Sequence, residues 1–514
     1  MSNKRSTLQS KPSEHASRKV SKAKRVLRVL FTIVCLLLVF ALVCTALSFS
    51  NASKAEIKPE QDLLENAVVS VTNGEVSGDG FTGTAGTAYT AELSAPAVLN
   101  TVVLREDGAN CRGFSIEALV DGAYTQIYAQ DDKIGEYRYC AFPEVETTAL
   151  RITVQGADAP FTIEDVEAFS SERKAAEDFR VTTYITAATA YDLEGLRTQA
   201  GSFDVITDVI LFGAVRFAAD GTLYYPDLDL GDGTTANGET VFQTALQNLR
   251  EVIGDRDVRI HCNFIGPDAP DGTASENAAN AKCDQHNLAF VDNRDTLIAA
   301  LLEFTAANDF DGIYFDYEYP RRLKDWFTFS RFLSALKEEI NGQYQLGAAV
   351  PVWKNLWEIF LSRSVDTVEV MGYDAFDAED GHHASFARTA SGVIGDYLSL
   401  GYSADKMDLG MPFFSRPIDG GEYWYTYSGD ARQLGKYQNV AEGLLQGCPE
   451  TEEENTPDRY YNGWQMVYDK TAYAIDAGLG GVMVWHYGCD LPYEDELSLF
   501  GAMAQAIEDR TVQA

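Results

Sequence analysis

The chain has 514 residues, 46% apolar and 23% charged, which is room for two to four domains with ordinary globular composition. Its net charge of −36 would repel nucleic-acid phosphates, so nucleic acid is excluded as a partner. The charge is uneven: residues 1–28 hold nine Lys/Arg against Glu14 alone, leaving 32 basic and 76 acidic residues beyond.

The basic head (1–28) runs into 19 uncharged residues from Val29 to Leu47, and no charge returns before Lys54. As a helix this run spans about 28 Å, close to a bilayer's hydrocarbon thickness. Basic residues on its N-terminal side place that end in the cytoplasm. A single-pass signal anchor over 29–50 is expected. A cleaved signal is the rival, because Ser50 and Ala52 are small, although the run exceeds the usual signal core. Both readings export the rest, to the cell membrane or in secreted form. Six cysteines lie beyond the apolar run: Cys111, Cys140, Cys262, Cys283, Cys448 and Cys489. Pairs 111–140, 262–283 and 448–489 would each stay within one domain, and free buried thiols are the alternative. No Cys/His spacing suits a structural metal, and no cofactor is expected.

After a spacer (51–64), residues 65–170 alternate in short strands such as "AVLNTVVLRED", "GFSIEALVDGAYTQIYAQ" and "ALRITVQG". Turn residues about every ten positions point to an all-β sandwich. A polar linker (171–179) follows. From residue 180 to 510 the texture changes. Eight apolar strand candidates, "FRVTTYITA", "VITDVILFGAVRF", "VRIHCNFIG", "FDGIYFDYEYP", "YQLGAAVPVW", "VDTVEVMGYDAF", "MDLGMPFFSRP" and "LGGVMVWHYG", alternate with amphipathic helical stretches. That pattern predicts an α/β fold, a (β/α)8 TIM barrel.

The fourth strand carries the acids. With a side-chain period of two, Tyr314, Asp316 and Glu318 share one face, while Ile313, Phe315 and Tyr317 face the covering helices. Barrel enzymes place their chemistry at the strands' C-terminal ends, where Glu318 falls. His382 and His383 lie in a polar loop after strand six with no third ligand at metal spacing.

Two stretches carry family resemblances. "FSIEALVDGAYTQIY" followed by "RYCAFPEVETTALRITV" resembles the discoidin-like (coagulation factor V/VIII type C) β-sandwich. That implies either a carbohydrate-binding rim or a plain spacer. "DGIYFDYEYP" resembles the Asp-x-x-Asp-x-Asp-x-Glu signature of glycoside hydrolase family 18, the chitinase family. "VMGYD" (370–374), "GMPFFSR" (410–416) and "GGVMVW" (480–485) fall in that family's order. The resemblance implies a retaining hydrolase of β-1,4 linkages to N-acetylglucosamine, of chitinase or endo-β-N-acetylglucosaminidase type, with the substrate's acetamido group as nucleophile. Glu318 would be the acid, Asp316 the orienting anion, Tyr373 the holder of the acetamido oxygen, and Asp374 a contact to the distorted sugar. Asp311, Tyr314, Met371, Trp485, Arg416 and Trp353 are expected at the substrate-binding surface. Trp424 is a second candidate platform.

Position 314 departs from the family pattern, which has Asp there. A phenol could donate a hydrogen bond to ionised Asp316 and lower its pKa; the plainer alternative is that Tyr314 fills the barrel with its bulk. A cell-surface lectin without turnover and a peptidoglycan or cortex hydrolase remain the competing functions. The expected partners are a GlcNAc-containing glycan and the membrane.

Overall fold

The structure is a computed structural model, and it describes residues 27–41, 55–57, 61–229, 233–353, 356–378, 381–418, 424–434, 439–441 and 458–511. The apolar run is helical over 27–41, with exposed side chains such as Phe31 and Phe40. No described helix is long and apolar enough to cross a membrane. The expected anchor continues to residue 50, and residues 42–50 lie outside the described residues.

The first folded region is all-β, as expected: β1 (Val68–Ser77), β2 (Gly80–Glu106), β3 (Cys111–Val120), β4 (Ala123–Gln130), β5 (Arg138–Ala157) and β6 (Phe161–Phe169). Asp121 and Gly122 join β3 to β4 at φ 51° and 81°, both in the left-handed region that a tight two-residue hairpin needs. The strands form one hydrogen-bonded sheet, where a sandwich would have two facing sheets. β2 runs on past a corner where pairing lapses between Glu92 and Ala97. Pro96 sits in that gap and has no N–H to offer a ladder. Phe81 and Glu106, near opposite ends of β2, both pair with Ile163 of β6. β6 therefore bridges the two ends of β2, and the sheet wraps around Phe81, Tyr89, Phe114, Ile116, Tyr128, Ile152 and Phe161.

Eight parallel strands then follow: β7 (Arg180–Thr186), β8 (Asp208–Phe217), β9 (Arg259–Ile265), β10 (Gly312–Asp316), β11 (Gln345–Val350), β12 (Thr367–Val370), β13 (Met407–Pro412) and β14 (Gly481–Trp485). Each pairs with the next, and β14 returns to β7, which closes the barrel. All eight strands were legible as apolar runs. The outward residues Ile313 and Phe315 join the layer beneath the helices with Phe332 and Leu333. The inward residues Tyr184, Ile210, Tyr314, Met371, Phe414 and Met483 form a separate inner cluster.

The helix Trp464–Ala477 is buried on nearly every side, because the β unit packs on the side a barrel helix normally leaves to solvent. Asp469 accepts from Tyr128 Oη (2.7 Å) and from the Ala141 amide (3.1 Å) across that contact. Cys111, Cys140, Cys262 and Cys283 are buried free thiols; Cys489 is buried with its Sγ 3.4 Å from His486 Nε2, and Cys448, its expected partner, lies outside the described residues.

Candidate active site

β10 delivers the acids. Tyr317 turns outward and stacks on His286 at 3.9 Å and 2°. That leaves Asp316 at the strand's last position and Glu318 two residues beyond it, at the mouth of a cavity of about 340 Å³. Asp316, Glu318, Met371, Tyr373, Asp374, Arg416 and Trp485 all line this cavity. They come from the C-terminal ends of β10, β12, β13 and β14, so segments far apart in sequence converge on one mouth.

Two electrostatic environments lie side by side. Burial, then the charge of Glu318, pushes the Asp316 carboxyl well above the usual carboxylate range; its Oδ1 has no hydrogen-bond partner among the described residues. Burial also raises Glu318, against the opposing pull of Lys282 and of hydrogen bonds from Tyr319 and Asp316. Two adjacent carboxyls cannot both ionise cheaply, so the pair holds one proton between them. Asp374 is the contrast. Burial would raise it, but His383 and Arg416 outweigh that and hold it at about 2. Arg416 grips both its oxygens at 2.8 Å. Burial pushes His383 down to about 4, so its Nε2 is a neutral acceptor for the Asp374 amide at 3.0 Å, and the charge on Asp374 rests on Arg416.

The walls are aromatic. Trp485, at the end of β14, packs edge-on to Phe212 with centroids 4.8 Å apart and lies 5.5 Å from Tyr184. Tyr373 meets Phe414 at 5.8 Å, and Trp424 closes the other side of Phe414 at 6.1 Å. The arrangement offers a proton donor–acceptor pair, a fixed anion and a flat apolar floor. No trio of His, Cys, Asp or Glu among the described residues could hold a metal ion.

Three expected site residues lie elsewhere. Asp311 stands before the start of β10, roughly 16 Å from Asp316 at strand rise. Its Oδ2 accepts from the Ile260 amide at 2.8 Å, so it ties β9 to β10 at the closed end of the barrel. Tyr314 is fully buried beneath the cavity, and its hydroxyl bonds Thr367 Oγ1 (2.9 Å), not Asp316. Asp316 is raised, not lowered, so the expected stabilisation of its anion by Tyr314 is corrected. The phenol fills space above Gly347, where an added Cβ would lie 2.1 Å from its Cε1. Trp353 stands half exposed on the rim against Tyr319 (4.7 Å), outside the cavity lining. The sequence reading missed Tyr184, Phe212, Lys282 and Phe414. Tyr184 was discoverable from the two-residue period of β7. Lys282 was not, because its helix (Ser275–Asn287) reaches the cleft only through the fold.

The family model of glycosyl hydrolases family 18 matches residues 278–490, a span that holds the acids, Tyr373, Asp374 and Trp485. The matched span lies within the barrel, from the helix that carries Lys282 to just past β14. The chain is 24% identical over 235 residues to Endochitinase 1 of Metarhizium robertsii, covering 37% of this chain and 54% of that protein. Chitotriosidase-1 of Mus musculus is 24% identical over 250 residues, covering 38% and 53%. The chain thus spans about half the length of these relatives. Among solved structures, a chitinase from Bacteroides thetaiotaomicron superposes with a TM-score of 0.48 at 19% identity, over 64% of this chain and 97% of that one. The Ostrinia furnacalis Group IV chitinase in complex with allosamidin gives 0.48 at 19%, over 65% and 100%. The family 18 match and the chitinase relatives support a glycoside hydrolase.

Proposed function

We propose that the protein is a retaining glycoside hydrolase that cuts β-1,4 linkages of N-acetylglucosamine glycans by substrate-assisted catalysis. The observation that carries this is the adjacent carboxyl pair Asp316–Glu318 in an aromatic-floored cavity, with no third carboxyl among the described lining residues free to act as nucleophile: Asp374 is tied to Arg416. Glu318 donates its proton to the leaving glycosidic oxygen as the acetamido oxygen attacks the anomeric carbon. Asp316 accepts from the acetamido N–H and stabilises the oxazolinium ion. Tyr373, buried and kept protonated, donates to the acetamido oxygen. Glu318, now a base, takes a proton from the water that opens the ring.

Trp485 supports the sugar ring, whose C–H face packs on the indole. The order of strand motifs in residues 65–170 supports a discoidin-like β unit, and the apolar run 29–47 supports export, as an anchor or as a signal. The test compares N-acetylated with fully N-deacetylated chitooligosaccharides. Substrate assistance requires cleavage of the first and none of the second; equal rates on both would overturn the mechanism.

A further inference from the structure

Asp374 has a φ of 55°, which non-glycine residues adopt rarely and hold only when neighbours enforce it. The chain beyond it folds straight back. Ala384, itself at φ 50°, donates its amide to Ala375 O (2.8 Å), and Asp377 donates to His382 O (3.0 Å). At the end of this turn two histidines point opposite ways. His383 accepts the Asp374 amide, on the cleft side. His382 Nε2 lies 2.9 Å from Asp132 Oδ1, and its ring stacks on Tyr460 at 4.2 Å. Asp132 belongs to the connection between β4 and β5, in the β unit. Its neighbour Lys133 pairs with Asp377 of the same turn. Arg138 fixes the connection from behind, donating to Asp132 Oδ2 (2.7 Å) and to Lys133 O (2.6 Å). Asp132, Lys133, Arg138, His382 and His383 are all buried.

We infer that the β4–β5 connection is a built-in brace of the cleft, and that Asp132 and Lys133 are positioning residues for Asp374. Charge-assisted bonds in a buried site are strong and directional, and two of them converge on one ten-residue turn. The turn's other cleft-side group, His383, cannot shift without moving the Asp374 amide. Asp132 and Lys133 are committed to the barrel, which removes these two from any sugar-binding rim. The β unit therefore braces the active site from outside the cavity, whose lining residues all come from the barrel. The link to turnover rests on the reading of Asp374 as a sugar contact, whereas the brace itself does not.

The test uses the full chain as wild type, Asp132→Ala, Asp132→Asn and Lys133→Met. Amide hydrogen exchange is read over residues 374–384, alongside kcat and KM on chitooligosaccharides. Loss of one charge-assisted bond opens the turn about tenfold more often. Lys133→Met should therefore exchange about tenfold faster there, and Asp132→Ala, which loses its bonds to both His382 and Arg138, at least as fast, with β10 and β14 unchanged and KM raised more than kcat falls; Asp132→Asn, which keeps an acceptor, should recover most of the protection. Unchanged exchange at 374–384, or an equal rise across the whole barrel, would overturn the brace. If Asp132→Ala does not fold, Lys133→Met carries the same comparison. Absence of turnover in wild type would count against the catalytic reading and leave the exchange result to judge the brace.

Discussion

Replacing Glu369 by Gln tests the electrostatics of the barrel interior. Glu369, on β12, is fully buried, and neither carboxyl oxygen has a hydrogen-bond partner among the described residues. Burial, then the charge of Asp408, pushes its carboxyl well above the usual range, with Asp208 adding to this and Arg180 opposing it. The folded state thus keeps a proton that the unfolded chain releases above pH ~4.3. The stability from that proton is complete below this pH and is lost as pH rises toward the folded value. Each unit in that window costs up to about 1.4 kcal/mol, so pH 5 to 7 costs up to about 2.7 kcal/mol. Asp408, itself raised by burial, titrates with it, and the variant removes one proton's worth of slope from the pair. At roughly 1 °C per kcal/mol for a chain of this length, that is about 3 °C. Calorimetry from pH 5 to 8 should show Glu369→Gln gaining about 3 °C on wild type between pH 5 and 7. Parallel Tm curves would refute the claim that Glu369 is held neutral.

Tyr314→Phe should lower stability by about 1 kcal/mol, the net worth of the buried bond to Thr367, measured by urea unfolding. Its pH–rate profile should match wild type, because the hydroxyl does not touch Asp316. Trp485→Ala should weaken chitooligosaccharide binding by about 1 to 3 kcal/mol through loss of the ring platform, read by titration calorimetry.

The barrel was legible because its eight strands are apolar runs bounded by turns, and the closed sheet keeps them in sequence order. Asp316 and Glu318 were legible because the two-residue period puts them on one face. Asp311 fits the family motif but is out of phase with that period and stands at the strand's other end, where it bonds the Ile260 amide. Tyr314 shows a different limit. Its face was right, but its hydrogen-bond partner, Thr367, lies two strands away and is set by register. The bend of β2 that lets β6 pair with both its ends turns on Pro96 and a lapse in pairing, which alternation alone cannot reveal. The Asp132–His382 contact joins positions 250 apart, and no local pattern marks it.

Glu318→Gln beside wild type is the most direct test of the central claim. Both forms would be assayed for hydrolysis of tri-N-acetylchitotriose and titrated with it. A general acid contributes about 10² to 10⁴ in rate, so the variant should lose at least about a hundredfold in kcat while binding the sugar as tightly as wild type. A variant that cuts as fast as wild type would show that Glu318 is not the proton donor and would contradict the account.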